Sequence, residues 1–272
     1  TVERAQRSFD GRSVAPAALI GVLGIVWLEL VATGGGGGTP LLVGHVIVTA
    51  WAIGGRTLAA DPDAWAAAND PLTAWFSMLG SLRRGAIAWG TSGALLATMA
   101  VGSVIFDGLS QGQAYFDAFG LPGEREHTLL LLGWLVVVAG ASALAMRAAA
   151  GRAWATALGE GFVPVAAGYV VAHYASWLLF AGQRIVVAVG DPLQQGSDLF
   201  GTAWFEPQAF VPPAVLWGIQ VVAVVAGHIV GVRRGHAVVS QSRRADGDSA
   251  GRIAAAQLPL AAVVLALTLI TL

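Results

Sequence analysis

The chain contains no cysteine and no lysine, and charged residues fill only 11% of its 272 positions. Without cysteine there is no disulfide, no thiolate metal site, no cysteine nucleophile and no inference about redox compartment. A soluble domain carries roughly 25% charged residues, so this chain has too little charge to cover a water-facing surface. Its 56% apolar content points the same way, toward lipid. A formal net charge of −1 lacks the basic excess of a nucleic-acid binder, and no nucleic-acid partner is expected. Arginine supplies every fixed positive side chain; with abundant Ala, Gly and Val, this reads as the coding bias of a GC-rich bacterium. Catalytic motifs are scarce as well. There is no P-loop, no dinucleotide fingerprint, and no H-x-H or H-E-x-x-H pair. No cleavable signal peptide is expected, because further apolar runs follow the first.

Long apolar runs are what the sequence does have. A helix needs about 20 mostly apolar residues to span a bilayer. Seven stretches qualify: 15–32, 40–58, 86–106, 128–148, 161–189, 211–232 and 253–272. The expectation is an all-α integral membrane protein, one polytopic domain over 1–272, seated in the plasma membrane with the bilayer as its first partner. The second run is short and ends at Arg56, which must snorkel, whereas the fifth is long enough to tilt. Placing the N-terminus in the cytoplasm puts Arg4, Arg7, Arg12, Arg56, Arg83, Arg84, Arg147, Arg152, Arg233, Arg234, Arg243, Arg244 and Arg252 on the inner side. Only Arg125 and Arg184 fall outside, a division of 13 to 2. Acidic residues dominate the outer loops. This is the positive-inside bias, and seven crossings leave the C-terminus outside.

Two proline steps, Asp61-Pro62 and Asp70-Pro71, place an N-cap residue before a proline at the first helical position. After the second, Leu72, Trp75, Phe76, Leu79 and Leu82 recur at helical spacing. The spacing predicts an amphipathic helix over 71–84, lying either in the inner membrane interface or under the bundle as a lid. The run Gly34 to Gly38 reads as a flexible outer turn. Gly227, Gly231 and Gly235 recur every fourth residue and form a small-residue ridge for close helix packing.

Polar side chains at membrane depth are costly and therefore mark candidate sites. His173, Ser176 and Gln183 share one face of the fifth span. At 1.5 Å per residue, His173 lies about 18 Å from the inner end of its span, and Gln220 about 13 Å from the outer end of the sixth. In a core about 30 Å thick those depths coincide. The same arithmetic pairs His228 with Gln257 near the inner side, giving a polar seam between spans five, six and seven. Glu29 and His45 share the outer third, and Asp191 and Asp198 join His45 as an outer cluster. His127 and His236 sit at helix ends and read as interfacial residues. Hydrogen bonding that merely holds the bundle together is the plain alternative for the Gln and His side chains. A bis-histidine haem is disfavoured, because His173 and His228 differ in depth by about 13 Å.

The segments VWLELVATGGGGGTPLLVGHVIVTAW, DPDAWAAANDPLTAWFSMLGSL, VPVAAGYVVAHYASWLLFAGQ, GDPLQQGSDLFGTAWF and VLWGIQVVAVVAGHIVGV together resemble bacterial multi-pass membrane proteins known as fenitrothion hydrolases. The likeness covers most of the chain in order. It departs at the all-glycine outer loop and at Gly190, where serine is expected. The resemblance implies attack of water on the phosphorus of an organophosphorus triester, with His173 or Glu29 as candidate base or as ligand to a divalent metal. Two other readings stand beside it. One is a non-catalytic accessory subunit of a larger respiratory or metalloenzyme complex, held to other membrane subunits. The other is a transporter or proton-conducting protein, against which stand the lack of an internal repeat and of a broken helix.

Overall fold

The computed structural model describes residues 14–32, 38–83, 87, 89–192 and 195–270, and all regular structure among them is helical. In chain order the α-helices are α1 Pro16–Leu30, α2 Gly38–Leu58, α3 Pro62–Asn69, α4 Pro71–Gly80, α5 Thr91–Ser110, α6 Gln113–Phe119, α7 Glu124–Ala150, α8 Trp154–Phe180, α9 Ile185–Gly190, α10 Pro213–Ala245, α11 Ala250–Ala256 and α12 Leu258–Ile270. Gly34–Gly37 of the glycine turn lie outside the described residues. The chain divides into two compact units. The first joins the described residues up to Ala166 to those from Val230 onward, and the second is Ala167–Ile229.

Three helical stretches among the described residues are long and apolar enough to cross a membrane: Thr91–Ser110, Glu124–Gly190 and Pro213–Ala245. The middle one has 67 residues. As one straight helix it would measure about 100 Å, more than three hydrocarbon cores. It breaks instead at Gly151, whose φ of +56° suits glycine and few other residues. The chain reverses there, because Met146 of α7 reaches Gly161 of α8 and the Arg147 guanidinium lies 4.6 Å over the Trp154 ring. Shorter apolar helices run over Pro16–Leu30, Leu42–Leu58 and Ala250–Val263.

The core of the first unit is the α5–α7 contact. Leu96, Ile105 and Phe106 of α5 are buried, as are Leu131, Val138 and Met146 of α7. Gly102 permits the approach, since a Cβ there would press on Leu135, and the Trp134 indole N–H donates to the Gly102 carbonyl at 2.9 Å. A second tether, the Trp27 indole to Thr128 Oγ1 at 2.9 Å, ties α1 to α7. Large apolar side chains such as Val136, Leu144, Val222, Val225 and Val232 face outward and exposed, as a lipid-contacting surface requires.

Both aspartate caps form. Asp61 Oδ1 accepts from the Ala64 amide at 3.0 Å, and Asp70 Oδ1 accepts from Leu72 and Thr73 at 3.0 and 3.3 Å. Asp70 Oδ2 also lies 3.4 Å from Arg56, so the arginine expected to snorkel is anchored by a cap residue. On α4 the buried face is Pro71, Ala74, Ser77 and Met78, with Pro71 against Gly21 of α1. Leu72 and Phe76 point away and are exposed. The helix therefore packs through Pro71, Ala74, Ser77 and Met78 and turns Leu72 and Phe76 outward.

Several helix limits differ from the expected spans. The helix that covers the expected sixth span does not end at 232: α10 continues to Ala245, because nothing after Arg233 and Arg234 breaks a helix before Gly247 at φ +80°. The fifth begins earlier, at Trp154, and gives way to a 3-10 turn at Ala181–Arg184. The seventh breaks at Gln257, because Pro259 has no N–H to continue the ladder.

Candidate active site

The polar side chains of α8 make the following contacts. The Ser176 hydroxyl turns back to the His173 carbonyl at 3.5 Å within the helix, and the His173 ring stands perpendicular to Tyr174 at 4.7 Å. Gln220 Nε2 donates to the Ala172 carbonyl at 2.8 Å, one residue from His173, so the two do meet in depth. His228 Nδ1 lies 2.9 Å from the Val224 carbonyl and must carry the proton there, while its ring edge meets Tyr169 at 5.8 Å. The Gln183 amide is spent on the loop before α10: its Nε2 donates to the Gln208 carbonyl and its Oε1 accepts from the Gln208 amide, both at 3.0 Å. Asp191 accepts from the Gln195 and Gly196 amides at 2.9 and 2.8 Å, and Asp198 from Thr202 and Ala203 at 2.6 and 3.1 Å. These two carboxylates build turns. Glu29 and His45 are exposed on α1 and α2, adjoining the close contact of Leu28 with Gly44. Among the described residues no three His, Asp or Glu side chains group as metal ligands.

The glycine ridge lies against α8. In the first unit a Cβ on Gly231 would strike the Gly161 carbonyl oxygen, and one on Gly235 would sit 3.4 Å from the Ala157 carbonyl. In the second unit Gly168 faces Ala223 and Gly227. Ascending positions on α8 pair with descending ones on α10, so the helices run antiparallel.

That crossing carries a buried ion pair missing from the sequence-level expectations. Glu160, on α8, is almost fully enclosed. Its Oε1 accepts from the Ile87 amide at 2.9 Å and the Trp89 indole at 3.1 Å, and Arg234 Nε lies 2.9 Å from Oε2. The charge thereby clamps the segment before α5 onto α8 and α10. A signal for it existed. Glu160 is one residue before the expected start of span five and Arg234 two beyond the expected end of span six, so the depth arithmetic applied to charges would have matched them.

The arrangement with chemical potential begins two residues farther along α10. His236, Ser240 and Arg244 follow one another at four-residue intervals, which puts them on one face. They and Asp248 line a cavity of about 210 Å³, closed on the opposite side by Ala250, Ile253 and Ala254. The kink at Gln257 aims its side chain at the histidine: Gln257 Oε1 lies 2.8 Å from His236 Nδ1. An amide oxygen only accepts, so Nδ1 holds the proton and Nε2 presents its lone pair. Ser240 Oγ, on a residue only 9% exposed, stands 3.2 Å from that Nε2. Gln257, expected at the depth of His228, meets His236. His236 is not a residue at a helix end, because α10 runs nine residues past it.

Hydroxyl, imidazole and orienting carbonyl in sequence form the relay that makes a serine nucleophilic. The base is within hydrogen-bond reach of the hydroxyl, and the third group fixes its tautomer. Comparison with protein-family models, with curated proteins and with solved structures found no match for this chain.

Proposed function

We propose that the chain is a membrane-embedded ester hydrolase acting at the inner end of α10. The observation that carries the reading is the Ser240–His236–Gln257 hydrogen-bonded series opening on a cavity. In this mechanism Ser240 Oγ attacks the carbonyl carbon or phosphorus of an ester, and its proton passes to His236 Nε2 as the new bond forms. Gln257 Oε1 holds the opposite N–H and steadies the imidazolium. His236 then returns the proton to the departing oxygen, and water repeats the cycle to release the acyl or phosphoryl group from Ser240. The resemblance to fenitrothion hydrolases supports the reaction class. The base moves from His173 or Glu29 to His236, and the relay requires no divalent metal.

The membrane frame completes the reading. The three long stretches, with Glu124–Gly190 folded double, supply four crossings, and the three shorter apolar helices bring the number to seven. The arginine bias supports an N-terminus in the cytoplasm, an outward C-terminus, and a catalytic cavity near the inner surface of a bacterial plasma membrane.

The test is covalent. Purified protein in lipid nanodiscs is treated with a fluorophosphonate probe and mapped by mass spectrometry. The label should fall on Ser240, vanish in Ser240→Ala, and slow at least tenfold in His236→Gln, with matching loss of 4-nitrophenyl butyrate turnover. A wild-type protein that neither labels nor turns over the ester overturns the proposal. Stoichiometric co-purification with haem- or copper-bearing subunits would instead establish the accessory role.

A further inference from the structure

The same cavity contains a charge that the relay does not use. Arg244 follows Ser240 by one turn of α10, a rise of about 6 Å, and lines the same wall. Its neighbours are committed. Arg243 and Arg252 share the Asp248 carboxylate at 3.3 and 3.4 Å. Arg243 also donates to the Ala149 carbonyl at 2.7 Å and to that of Ala148. Arg244 has no ion pair or hydrogen bond among the described residues. Three arginines here face only two carboxylates, Asp246 and Asp248, so one positive charge is left over at the cavity mouth. The opposite wall is apolar, formed by Ala250, Ile253 and Ala254 of α11.

The geometry points to Arg244 as an anion subsite that selects esters bearing a phosphate or carboxylate one helical turn from the bond cleaved. This inference rests on the hydrolase reading and names its substrate class. An exposed guanidinium lining the cavity binds such a group through charge-assisted hydrogen bonds, bidentately where the oxygens allow. The apolar wall takes the alkyl portion. At about 210 Å³ the cavity is smaller than the 300 Å³ or more of a typical whole-ligand pocket. Only the charged group and the ester would enter it, and the rest of the chain would lie against the exposed apolar surface of neighbouring Leu258. The substrate is then an anionic amphiphile.

Binding tests the subsite without relying on turnover. Hexyl phosphate is titrated into wild-type, Arg244→Gln and Arg252→Gln protein in phosphatidylcholine nanodiscs, with heat or intrinsic tryptophan fluorescence as readout. The subsite predicts at least tenfold weaker binding in Arg244→Gln and a change under threefold in Arg252→Gln, which removes the same charge from outside the cavity. Equal affinity of wild type and Arg244→Gln overturns the inference even if esters are cleaved. So does an equal loss in both variants, which would mean diffuse attraction. Tenfold weakening without probe labelling of Ser240 keeps the anion subsite and sinks the hydrolase reading alone. Repeating the titration in nanodiscs containing phosphatidylglycerol separates the sources: competition identifies a lipid headgroup, and unchanged binding a soluble anionic ester.

Discussion

Replacing Arg234 with methionine removes the positive half of the Glu160 pair while keeping most of the side-chain volume. The Glu160 side chain is 3% exposed and that of Arg234 21%. Removing one partner of a buried pair costs about 3–5 kcal/mol, because the remaining charge stays desolvated. Glu160 would keep its bonds to the Ile87 amide and the Trp89 indole, so the lower end applies, about 3 kcal/mol. At about 2–4 °C per kcal/mol for chains of this size, Tm should fall by roughly 6–12 °C. Glu160→Gln should cost less, about 1–2 kcal/mol, because the amide oxygen still accepts both N–H groups and Arg234 can turn toward solvent. The double variant should therefore be more stable than the sum of the two losses predicts, by at least about 1 kcal/mol. Thermal unfolding followed by circular dichroism at 222 nm, in one detergent for all four proteins, gives the cycle. A Tm for Arg234→Met within 2 °C of wild type, or additive losses in the double variant, would refute the claim that this pair holds the segment before α5 in place.

Three further expectations test other parts of the structure. Gly231→Val drives a side chain at the Gly161 carbonyl and should cost about 2–3 kcal/mol; Gly218→Ala, with open space around it on the same helix, should stabilise by about 0.5–1 kcal/mol, and thermal shifts of the two in opposite directions are the check. Gln183→Ala removes both bonds to Gln208, so limited proteolysis should cut the 195–212 segment faster, and an unchanged rate would show that the loop is held by other means. Burial pushes the Tyr115 phenol above its ordinary value near 10. Its contribution to stability is thus whole below about pH 10 and is lost as pH rises through the raised value. Tyr115→Phe should lose less Tm than wild type between pH 8 and 11, and equal losses would contradict this.

Helical spans, aspartate caps and the depth match of Gln220 with the His173 turn could be read from the sequence because each depends on local spacing. Span ends could not. Arg233-Arg234 looks like an exit from the bilayer, yet a helix ends only where its backbone is broken, and that waits for Gly247. Cutting the span at 232 hid both Arg234 as a partner for Glu160 and His236 as an interior residue of α10. Gln257 was assigned to the inner region, but the kink at Pro259 decides which histidine it meets. Spacing alone does not show that Asp191 and Asp198 accept from the amides four and five residues on as turn acceptors.

The C-terminal end of α7 has a consequence for motion. Its terminal carbonyls at Ala148, Ala149 and Ala150 are filled by Arg243 and Ser242 of α10. Helix ends ordinarily fray first, because their last carbonyls turn to water. Here fraying of α7 would require α10 to let go at the same moment. Amide hydrogens in the last turns of both helices will then exchange with solvent as one block, at one rate, and that block adjoins the His236 relay.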